Sequence, residues 1–460
     1  MIRESAKISA MGKNFLYVIG ILLLAYFIGS QIIDQNYKIM SILLLGLATL
    51  LLILKSPVFG LYLIAAITPL NQLQQFDIPL FSSVIRVIGA ITLVSFLIHH
   101  FVAKKDRLIK TELFFPLAIF VFAYVVGLFR AYDPKSALEL LISLTIYFLL
   151  YLLVTNLVKD QKTIKRMLSV FIIVATGLAL FGIVQYFRGE TLFPPEMGRF
   201  GAFRLGKQRI VRVIGVFKNP NAFAYNYVLV IPLIVGILLT EKRRLYQGII
   251  MGLLGLCTFC LFITFSRSAF LALWVSILII LYFIKGYQKV IAVASLLGVF
   301  VILYIFSPNI LHILKYRMSP TVHDIGIEQR IELVKGGIDI FLTHPLIGAG
   351  IGNSPTILGR YTYDYRHGPH NNLVAVLVET GLLGFIPFIL IFIMFTKKIL
   401  KAMCKTNNRS SRIILVSILA SIWGYFVNGL FHTSIGYGLW WMVLGLGIAQ
   451  AYIVERSMER

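Results

Sequence analysis

Long apolar runs dominate this chain, and short polar segments separate them. Many of the runs approach the length of about 20 residues that a helix needs to cross a hydrocarbon core. They are too long and too uniformly apolar for the alternating strands of a membrane barrel, so helices are the expected spanning elements. We therefore predict an all-α polytopic membrane protein with about 14 transmembrane helices, within a range of 12–14. The predicted spans are 15–33, 39–54, 57–70, 82–103, 113–129, 137–158, 167–187, 221–240, 247–265, 268–284, 290–306, 372–395, 413–431 and 437–454.

Composition supports a single integral membrane domain over residues 1–460. The chain is 58% hydrophobic and 13% charged, whereas a soluble domain carries roughly twice that charged share. The formal net charge of +24 would suggest nucleic acid as a partner of a soluble protein. In a membrane protein the same excess is expected in loops that fix the orientation of the spans. The sequence contains no zinc-finger spacing or RNA-binding signature, so nucleic acid is not a predicted partner.

The distribution of Lys and Arg predicts the orientation. With the N-terminus in the cytoplasm, the basic clusters at 104–110, 159–166 and 397–412 all fall on the cytoplasmic side, as the positive-inside rule requires. Both termini are then cytoplasmic. The first run, 15–33, is interpreted as an uncleaved span because it has no small-residue cleavage pattern near its end.

Two outer segments, 188–218 and 307–370, break this charge bias. The first contains many more basic than acidic residues, which disfavours translocation of so short a loop. We interpret it as a binding surface for an anion such as a phosphate, a lipid head group or an acidic glycan. The alternative is a loop that packs against anionic lipid heads. The basic residues are Arg188, Arg199, Arg204, Lys207, Arg209, Arg212 and Lys218.

The second outer segment has the pattern of a helix followed by a tight turn. Apolar residues recur at helical spacing between 327 and 343, which predicts an amphipathic helix near the outer interface. The stretch 346–353 then carries alternating glycines. It lacks the strand and helix of a nucleotide-binding loop, so a turn that requires positive φ is predicted there. The apolar positions of the helix are Ile327, Ile331, Val334, Ile338 and Phe341.

His370 is the candidate general base. It lies where the segment 307–370 meets the span 372–395, between Pro369 and Asn371. The ordinary pKa of histidine, about 6.5, suits proton transfer near neutral pH. Placed at a membrane boundary, His370 could deprotonate a hydroxyl group delivered from outside. The alternative is a histidine at a helix end that contacts water or a carbonyl group.

Arg212 and Lys218 precede a predicted helix start. Asn219 is a good helix cap, and Pro220 suits the first helical turn. The free N–H groups of such a helix start form a ready anion site, which would lie beside the two basic side chains. The alternative is ordinary helix capping without a ligand.

Further charged residues lie within or next to the spans. Arg267 occupies the short turn between two spans, where its fork suits phosphate oxygens; the alternative is a side chain that snorkels to the surface. Arg330 begins the predicted interfacial helix, and Arg86 lies inside a span, where an arginine is a functional candidate by default. Glu379, also inside a span, is predicted to orient a neighbour or to pair with an arginine. No pattern of His, Cys or carboxylates predicts a metal site, and no phosphate-binding glycine loop occurs.

Four stretches taken together resemble the bacterial O-antigen ligase and polysaccharide polymerase family. Each stretch is a weak motif alone, while their order, spacing and shared outer location make the combination specific. The resemblance covers about residues 200–390. The stretches are RVIGVFKNPN at 212–221, SRSA at 266–269, the helix from Arg330 into GAGIGN at 348–353, and HNNLVAVLVETGLLG at 370–384.

The resemblance implies a GT-C-like helical glycosyltransferase in the bacterial cytoplasmic membrane that needs no metal or cofactor. Its donor would be a glycan on undecaprenyl diphosphate at the outer face, and its acceptor a hydroxyl of a glycan or glycolipid. By the same resemblance, Arg212 and Arg267 would bind the diphosphate and stabilise it as the leaving group. Arg330 would help to bind donor or acceptor, and His370 would be the general base.

Two other interpretations stay open. A transporter or flippase for lipid-linked sugars would place polar residues along a pathway at mid-membrane. A non-enzymatic scaffold would leave His370 replaceable. The predicted spans contain few charged residues, and charge concentrates in the outer loops, which favours catalysis at the surface. Ligase and polymerase, which differ in their acceptor, both fit the sequence.

Overall fold

The described part of the chain is a bundle of apolar helices. The computed structural model describes residues 37–70, 79–102, 108–189, 202–205, 208–217, 219–286, 289–290, 293, 325–359 and 368–458. Its helices are α1 (Tyr37–Lys55), α2 (Pro57–Ile67), α3 (Pro79–Val102), α4 (Phe114–Leu128), α5 (Pro134–Leu157), α6 (Gln161–Arg188), α7 (Pro220–Thr240), α8 (Arg244–Ile263), α9 (Arg267–Phe283), α10 (Ile325–Thr343), α11 (Ser354–Leu358), α12 (Asn372–Lys405), α13 (Arg409–Gly429) and α14 (Gly438–Met458).

The predicted class, a polytopic helical membrane protein, is confirmed. Within the described residues, eight helices are long and apolar enough to cross a membrane, and four shorter apolar helices accompany them. These twelve coincide with twelve of the predicted spans. The predicted span 15–33 lies outside the described residues, and so does nearly all of 290–306.

The basic segment 188–218, which the sequence analysis treats as a loop, contains one short hairpin, and the all-α class holds. Residues Ala202–Leu205 (β1) and Gln208–Val211 (β2) form a two-stranded antiparallel hairpin in which Ala202 pairs with Val211. The two strands contain Phe203, Ile210 and Val211 and are joined in the sequence through Gly206; aromatic and β-branched residues favour strands, and glycine favours the turn between them.

The helices α7 and α9 both pack closely against α13, and α7 lies inside the bundle. In α7, 94% of the spanning window is buried. Small residues let the backbones approach, as is usual between membrane helices: the Ser276 hydroxyl donates to the Ala420 carbonyl at 2.9 Å, and Ser421 donates to the Leu229 carbonyl at 2.5 Å. A Cβ on Gly424 would lie 2.2 Å from Ser276 Oγ.

The contacts of α13 show which helix ends lie together. Late in α13, Tyr425 packs edge to face against Tyr225, which is early in α7, with ring centroids 5.3 Å apart. Early in α13, Ser417 lies against Gly236, which is late in α7. In α9, Ala272 lies against Gly424, and the later residue Ser276 bonds to the earlier residue Ala420 of α13. Both α7 and α9 therefore run antiparallel to α13, so they begin at the end of the bundle where α13 finishes. We call this end the Arg267 end.

The opposite end of the bundle carries an ion-pair cluster, and we call it the Lys398 end. The buried Lys398 Nζ lies 2.7 Å from Glu112 Oε1 and 2.8 Å from Glu455 Oε2. A buried lysine requires such partners because an unpaired charge there would be costly. The cluster joins α12 and α14 to the residues before α4.

The helix α12 is broken at Gly381. Gly381 has φ 59° and ψ −154°, which is non-helical. In a straight helix Asn372 and Phe392 would lie about 30 Å apart, yet the Asn372 amide is 3.3 Å from Tyr425 Oη and the Phe392 ring centroid is 6.3 Å from that of Tyr425. The helix that contains the predicted span 372–395 therefore consists of two arms, residues 372–380 and 382–405, which are set at an angle.

The predicted interfacial helix is present as α10. Its protein-facing side is formed by Leu333 and Ile340, which are buried, and by Gly337. A Cβ added at Gly337 would lie 2.3 Å from Val374 of α12, so the two helices are in close contact there. Of the apolar positions noted in the sequence, Ile331 and Ile338 face outward, with exposed fractions of 51% and 47%, whereas Val334 packs on the protein side. The helix thus has two apolar faces, one for the protein and one for an apolar surrounding such as lipid.

Candidate active site

Arg212 is held in a corner between the start of α7 and the turn that joins α8 to α9. Its Nε donates to the Thr264 carbonyl at 2.8 Å, and its NH2 group donates to Asn221 Oδ1 at 3.0 Å. The backbone N–H of Val213 donates to the Ile263 carbonyl at 3.3 Å. These bonds attach the segment after β2 to the residues just before Arg267.

Two helices begin in this corner, and the first has the predicted cap. Asn219 is the N-cap of α7, where its side chain accepts from the Asn221 N–H, and Pro220 occupies the first turn. Ser266 is the N-cap residue of α9, and its side chain makes no capping hydrogen bond. Half-buried Arg267 is the first residue of that helix. Two helix N-termini and two arginines therefore share the corner, and each of these features favours an anion.

Gln185 fixes the segment that carries Arg212. Its amide pairs with both backbone groups of Gly215, donating to the carbonyl at 2.9 Å and accepting from the N–H at 2.9 Å. Gly215 has φ +57°, and a Cβ there would lie 2.5 Å from the Phe223 ring. The buried Gln185 gave no signal in the sequence, because an isolated amide in an apolar run does not reveal its partner.

His370 stands at the start of α12, at the Arg267 end. It is half-buried and has φ +49°. Next to it, Asn371 caps α12 by accepting from the N–H groups of Leu373 and Val374. The Asn372 side chain accepts from the Ser434 N–H at 2.7 Å, which attaches this helix start to the connection between α13 and α14.

Unusual backbone conformations mark both candidate regions. Among the described residues, Phe265 and His370 are the non-glycine residues with positive φ, 49° in each. Phe265 directly precedes the Ser266–Arg267 pair. Conformations of this kind are uncommon in residues with a side chain and are often found at functional sites.

His432 is a second histidine at this end, and the sequence analysis did not identify it. It lies in the connection between α13 and α14, and its side chain is 8% exposed. Burial, with added repulsion from the positive charges of His370 and Arg330, lowers the pKa of His432 to about 3. The electrostatic interaction of His432 with both residues places His370 and Arg330 in one region of the structure.

Unpaired polar atoms surround His432. Its Nε2, the Thr433 hydroxyl and both side-chain polar atoms of Asn428 are buried without a hydrogen-bond partner in the described part of the chain. Buried polar groups are nearly always paired with protein, water or ligand. This cluster therefore has capacity for hydrogen bonds to a hydroxyl-rich molecule.

Glu379 orients the glycine-rich turn. The Ser354 hydroxyl donates to Glu379 Oε1 at 2.7 Å, and the backbone N–H groups of Gly352 and Ser354 also bond to this carboxyl group. Of the two roles predicted for Glu379, orientation of a neighbour is the one its described hydrogen bonds match. The glycines of the turn at 348, 350 and 352 all have positive φ, which confirms the predicted turn.

The remaining site predictions differ in outcome. Arg86 has an exposed side chain on α3, a helix that packs mainly on α1, α2 and α5, and the described contacts do not bring it to the Arg212 corner. Lys218 lies outside the described residues. Arg130, which the sequence analysis did not select, donates to the Gly348 carbonyl at 2.8 Å and so helps to hold the turn.

Comparison with known proteins bears on the fold class and on the family resemblance. The fold defines a polytopic helical membrane protein, and residues 250–389 match the model of the family described as O-antigen ligase. The match confirms the resemblance drawn from the motifs and supports a membrane glycan-transferring function. The matched stretch contains Arg267, Arg330, His370 and Glu379, whereas Arg212 precedes it.

Two further comparisons were made. The structure is similar to a chain of the solved structure described as "Structural coordination of polymerization and crosslinking by a peptidoglycan synthase complex", with 15% identity and a TM-score of 0.40. The similarity covers 75% of this chain and 97% of that chain. No curated protein matches the sequence.

Proposed function

We propose that the protein transfers a glycan from undecaprenyl diphosphate to an acceptor hydroxyl at the outer face of a bacterial cytoplasmic membrane. It would act as an O-antigen ligase or as a polymerase of a cell-surface polysaccharide. The proposed reaction needs no metal or cofactor. In it, a bond forms between the acceptor oxygen and the anomeric carbon of the donor glycan, the bond from that carbon to the diphosphate breaks, and the acceptor proton leaves.

The observation that carries the proposal is the bond between Arg212 and the turn of Arg267. Arg212 Nε donates to the Thr264 carbonyl at 2.8 Å, and Thr264 belongs to the turn that carries Arg267. The two arginines, which are distant in sequence, therefore lie in one corner with the N-termini of α7 and α9. A diphosphate leaving group develops negative charge as its bond to the sugar breaks. Fixed cations and helix dipoles aimed at that charge would stabilise the transition state.

His370 would take the acceptor proton. It stands at the same end of the bundle, at the boundary where a hydroxyl from outside arrives. Beside it, the unpaired polar atoms of Asn428, His432 and Thr433 would bind hydroxyl groups of the acceptor or the donor sugar. Arg330, coupled electrostatically to His432, would contact the glycan or the diphosphate from α10.

Turnover by purified protein tests these roles. The protein is incubated with a lipid-linked oligosaccharide and candidate acceptors, and chain growth or ligation is measured. His370→Ala should lower the rate by about 100-fold or more, because a general base contributes at least that much. Arg212→Ala and Arg267→Ala should each lower it by roughly 100-fold, since each removes a donor to the developing charge.

Arg244→Ala provides the matched control. Because Arg244 is exposed at the start of α8, this substitution should leave the rate unchanged. Full turnover in His370→Ala would contradict the general-base role. If the wild type transfers no glycan to any acceptor but moves the lipid-linked sugar across liposomes, the protein is a flippase and the proposal is wrong.

A further inference from the structure

A cavity of about 490 Å³ opens at the Lys398 end, between the end of α9 and the start of α13. Because these two helices run antiparallel, the cavity lies at the opposite end of the bundle from the Arg212 corner, and the proposed transfer reaction does not use it. Its described lining includes Phe283, Lys285, Thr406, Arg409, Arg412 and Val416.

The lining is amphipathic. Three cations, Lys285, Arg409 and Arg412, line it, and the described lining contains no carboxylate. Apolar side chains of α9 and α13 form the remaining wall, among them Phe283 and Val416. A concave surface with positive charge on one side and hydrocarbon on the other matches a ligand that has both an anion and an acyl chain.

The polar part of the cavity is ordered by its own hydrogen bonds. The Asn408 N–H donates to Thr406 Oγ1 at 3.2 Å, and Asn408 Oδ1 accepts from the Ser411 N–H at 3.0 Å. This caps α13, a helix of 21 residues, whose positive dipole end faces the cavity. The backbone and the three cations thus favour negative charge at the same place.

We infer that this cavity binds the phosphate group of an anionic phospholipid, with an acyl chain along the apolar wall. A soluble phosphate would match the cations equally well but would leave the apolar wall without a ligand. The lipid would join α9 to α13 at the end remote from the candidate active site. Through the shared helices α9 and α13, bound lipid would stabilise the scaffold that carries Arg267 and the His432 connection.

Lipid titration of the full-length protein tests the inference. Purified protein in neutral detergent is titrated with short-chain phosphatidylglycerol, and bound lipid is counted by native mass spectrometry. The triple variant Lys285→Gln, Arg409→Gln, Arg412→Gln should bind phosphatidylglycerol roughly tenfold more weakly or worse, since each cation near an anionic lipid contributes to binding. Short-chain phosphatidylcholine should bind both proteins weakly.

The matched control is Lys162→Gln, Lys165→Gln, Arg166→Gln, which removes the same charge from exposed positions on α6 and should bind phosphatidylglycerol as the wild type does. Equal loss in both triple variants would show attraction by net charge alone and would overturn the site. Competition by inorganic phosphate or glycerol phosphate at the concentrations where the lipid binds would also overturn it, since the ligand would then be a soluble phosphate. Retained glycan transfer in the cavity variant shows that it is folded.

Discussion

His432 is an ionisable group that the fold keeps away from water. Its ring stacks on Tyr437 with centroids 6.2 Å apart, and its side chain is 8% exposed. Burial and the nearby positive charges of His370 and Arg330 lower its pKa to about 3. In the folded protein His432 is therefore neutral at physiological pH. A neutral imidazole ring can both donate and accept a hydrogen bond.

This environment predicts a pH-dependent stability. The pKa of His432 is about 3 when folded and about 6.5 when unfolded, so between these values only the unfolded chain binds the proton. The free energy of unfolding should therefore decrease as pH falls below about 6.5, by about 1 kcal/mol between pH 7 and pH 5.5. Thermal unfolding in detergent at several pH values measures this.

His432→Phe keeps a ring beside Tyr437 and removes the titrating group, so it should reduce the pH dependence by that amount. His99→Phe, at an exposed position on α3, should retain the wild-type profile. An unchanged pH profile in His432→Phe would mean that His432 titrates normally in the fold.

The candidate site was only partly visible in the sequence. Arg212, Arg267 and His370 could be selected because charged residues at the edges of apolar runs are costly and few. His432 and Gln185 could not, because their partners, Arg330 and Gly215, lie far from them along the chain. Hydropathy shows that a residue lies near a membrane boundary, but it does not show which residues from other segments lie beside it.

At the scale of elements, the broken helix α12 and the glycine-rich turn form one unit. The break at Gly381 leaves the N–H groups of Leu382 and Leu383 without helical partners. They donate instead to the carbonyls of Pro345 and Leu346, at 2.8 and 3.0 Å, while the Val378 carbonyl accepts from the Ala349 N–H at 2.7 Å. Irregular backbone is tolerated in a membrane protein where such bonds satisfy it.

Gly381→Ala should therefore destabilise the protein by about 3 kcal/mol or more. The conformation of Gly381, φ 59° and ψ −154°, is accessible essentially to glycine alone. In addition, a Cβ would lie 2.6 Å from the Leu346 carbonyl group and from Gly348 N. Chemical or thermal unfolding in detergent provides the measurement.

Gly177→Ala is the matched control, since Gly177 lies within α6 and a Cβ there meets no atom within 4 Å. It should leave stability unchanged or raise it by up to about 1 kcal/mol. Equal stability of the two variants would contradict the role assigned to the break.

Periodicity predicted most of these elements, while their interruptions depended on long-range contacts. The positive-φ turn at 348–352 was predictable because glycine is the residue that allows it. The break at Gly381 was not, since the run 372–395 has the length and hydropathy of a continuous helix and the bonds that satisfy the break come from Pro345 and Leu346. The β1–β2 hairpin was not predicted because its strands are only four residues long and show no regular alternation of apolar and polar residues.

At the scale of the whole molecule, the two ends of the bundle differ in chemistry. The Arg267 end carries the arginine corner, both histidines and the glycine-rich turn. The Lys398 end carries the ion-pair cluster and the basic cavity. The charge distribution of the loops predicts that the Arg267 end faces outward and the Lys398 end faces the cytoplasm.

Thiol labelling tests this orientation. Cys404 is exposed near the Lys398 end, whereas Cys257 and Cys260 are buried, so the wild type has one accessible thiol in the described part of the chain. A membrane-impermeant maleimide should label Cys404 in inverted vesicles and leave it unlabelled in intact cells.

The complementary variant places a thiol at the other end. Thr343→Cys, at the exposed end of α10, is made in a Cys404→Ser background and should be labelled in intact cells. Labelling of Cys404 from outside, or of residue 343 from the cytoplasm alone, would reverse the orientation and place the candidate site on the cytoplasmic side.

The break in α12 also has a consequence for how the chain is made. Ribosomes synthesise proteins from the N-terminus, and domains tend to fold in that order. The carbonyls of Pro345 and Leu346 precede the N–H groups of Leu382 and Leu383 that they accept from, and the Gly127 carbonyl that holds the turn through Ile351 is made earlier still. Every partner of the break is thus already present when α12 leaves the ribosome, and the helix can bend as it enters the bilayer without leaving amides unpaired in lipid.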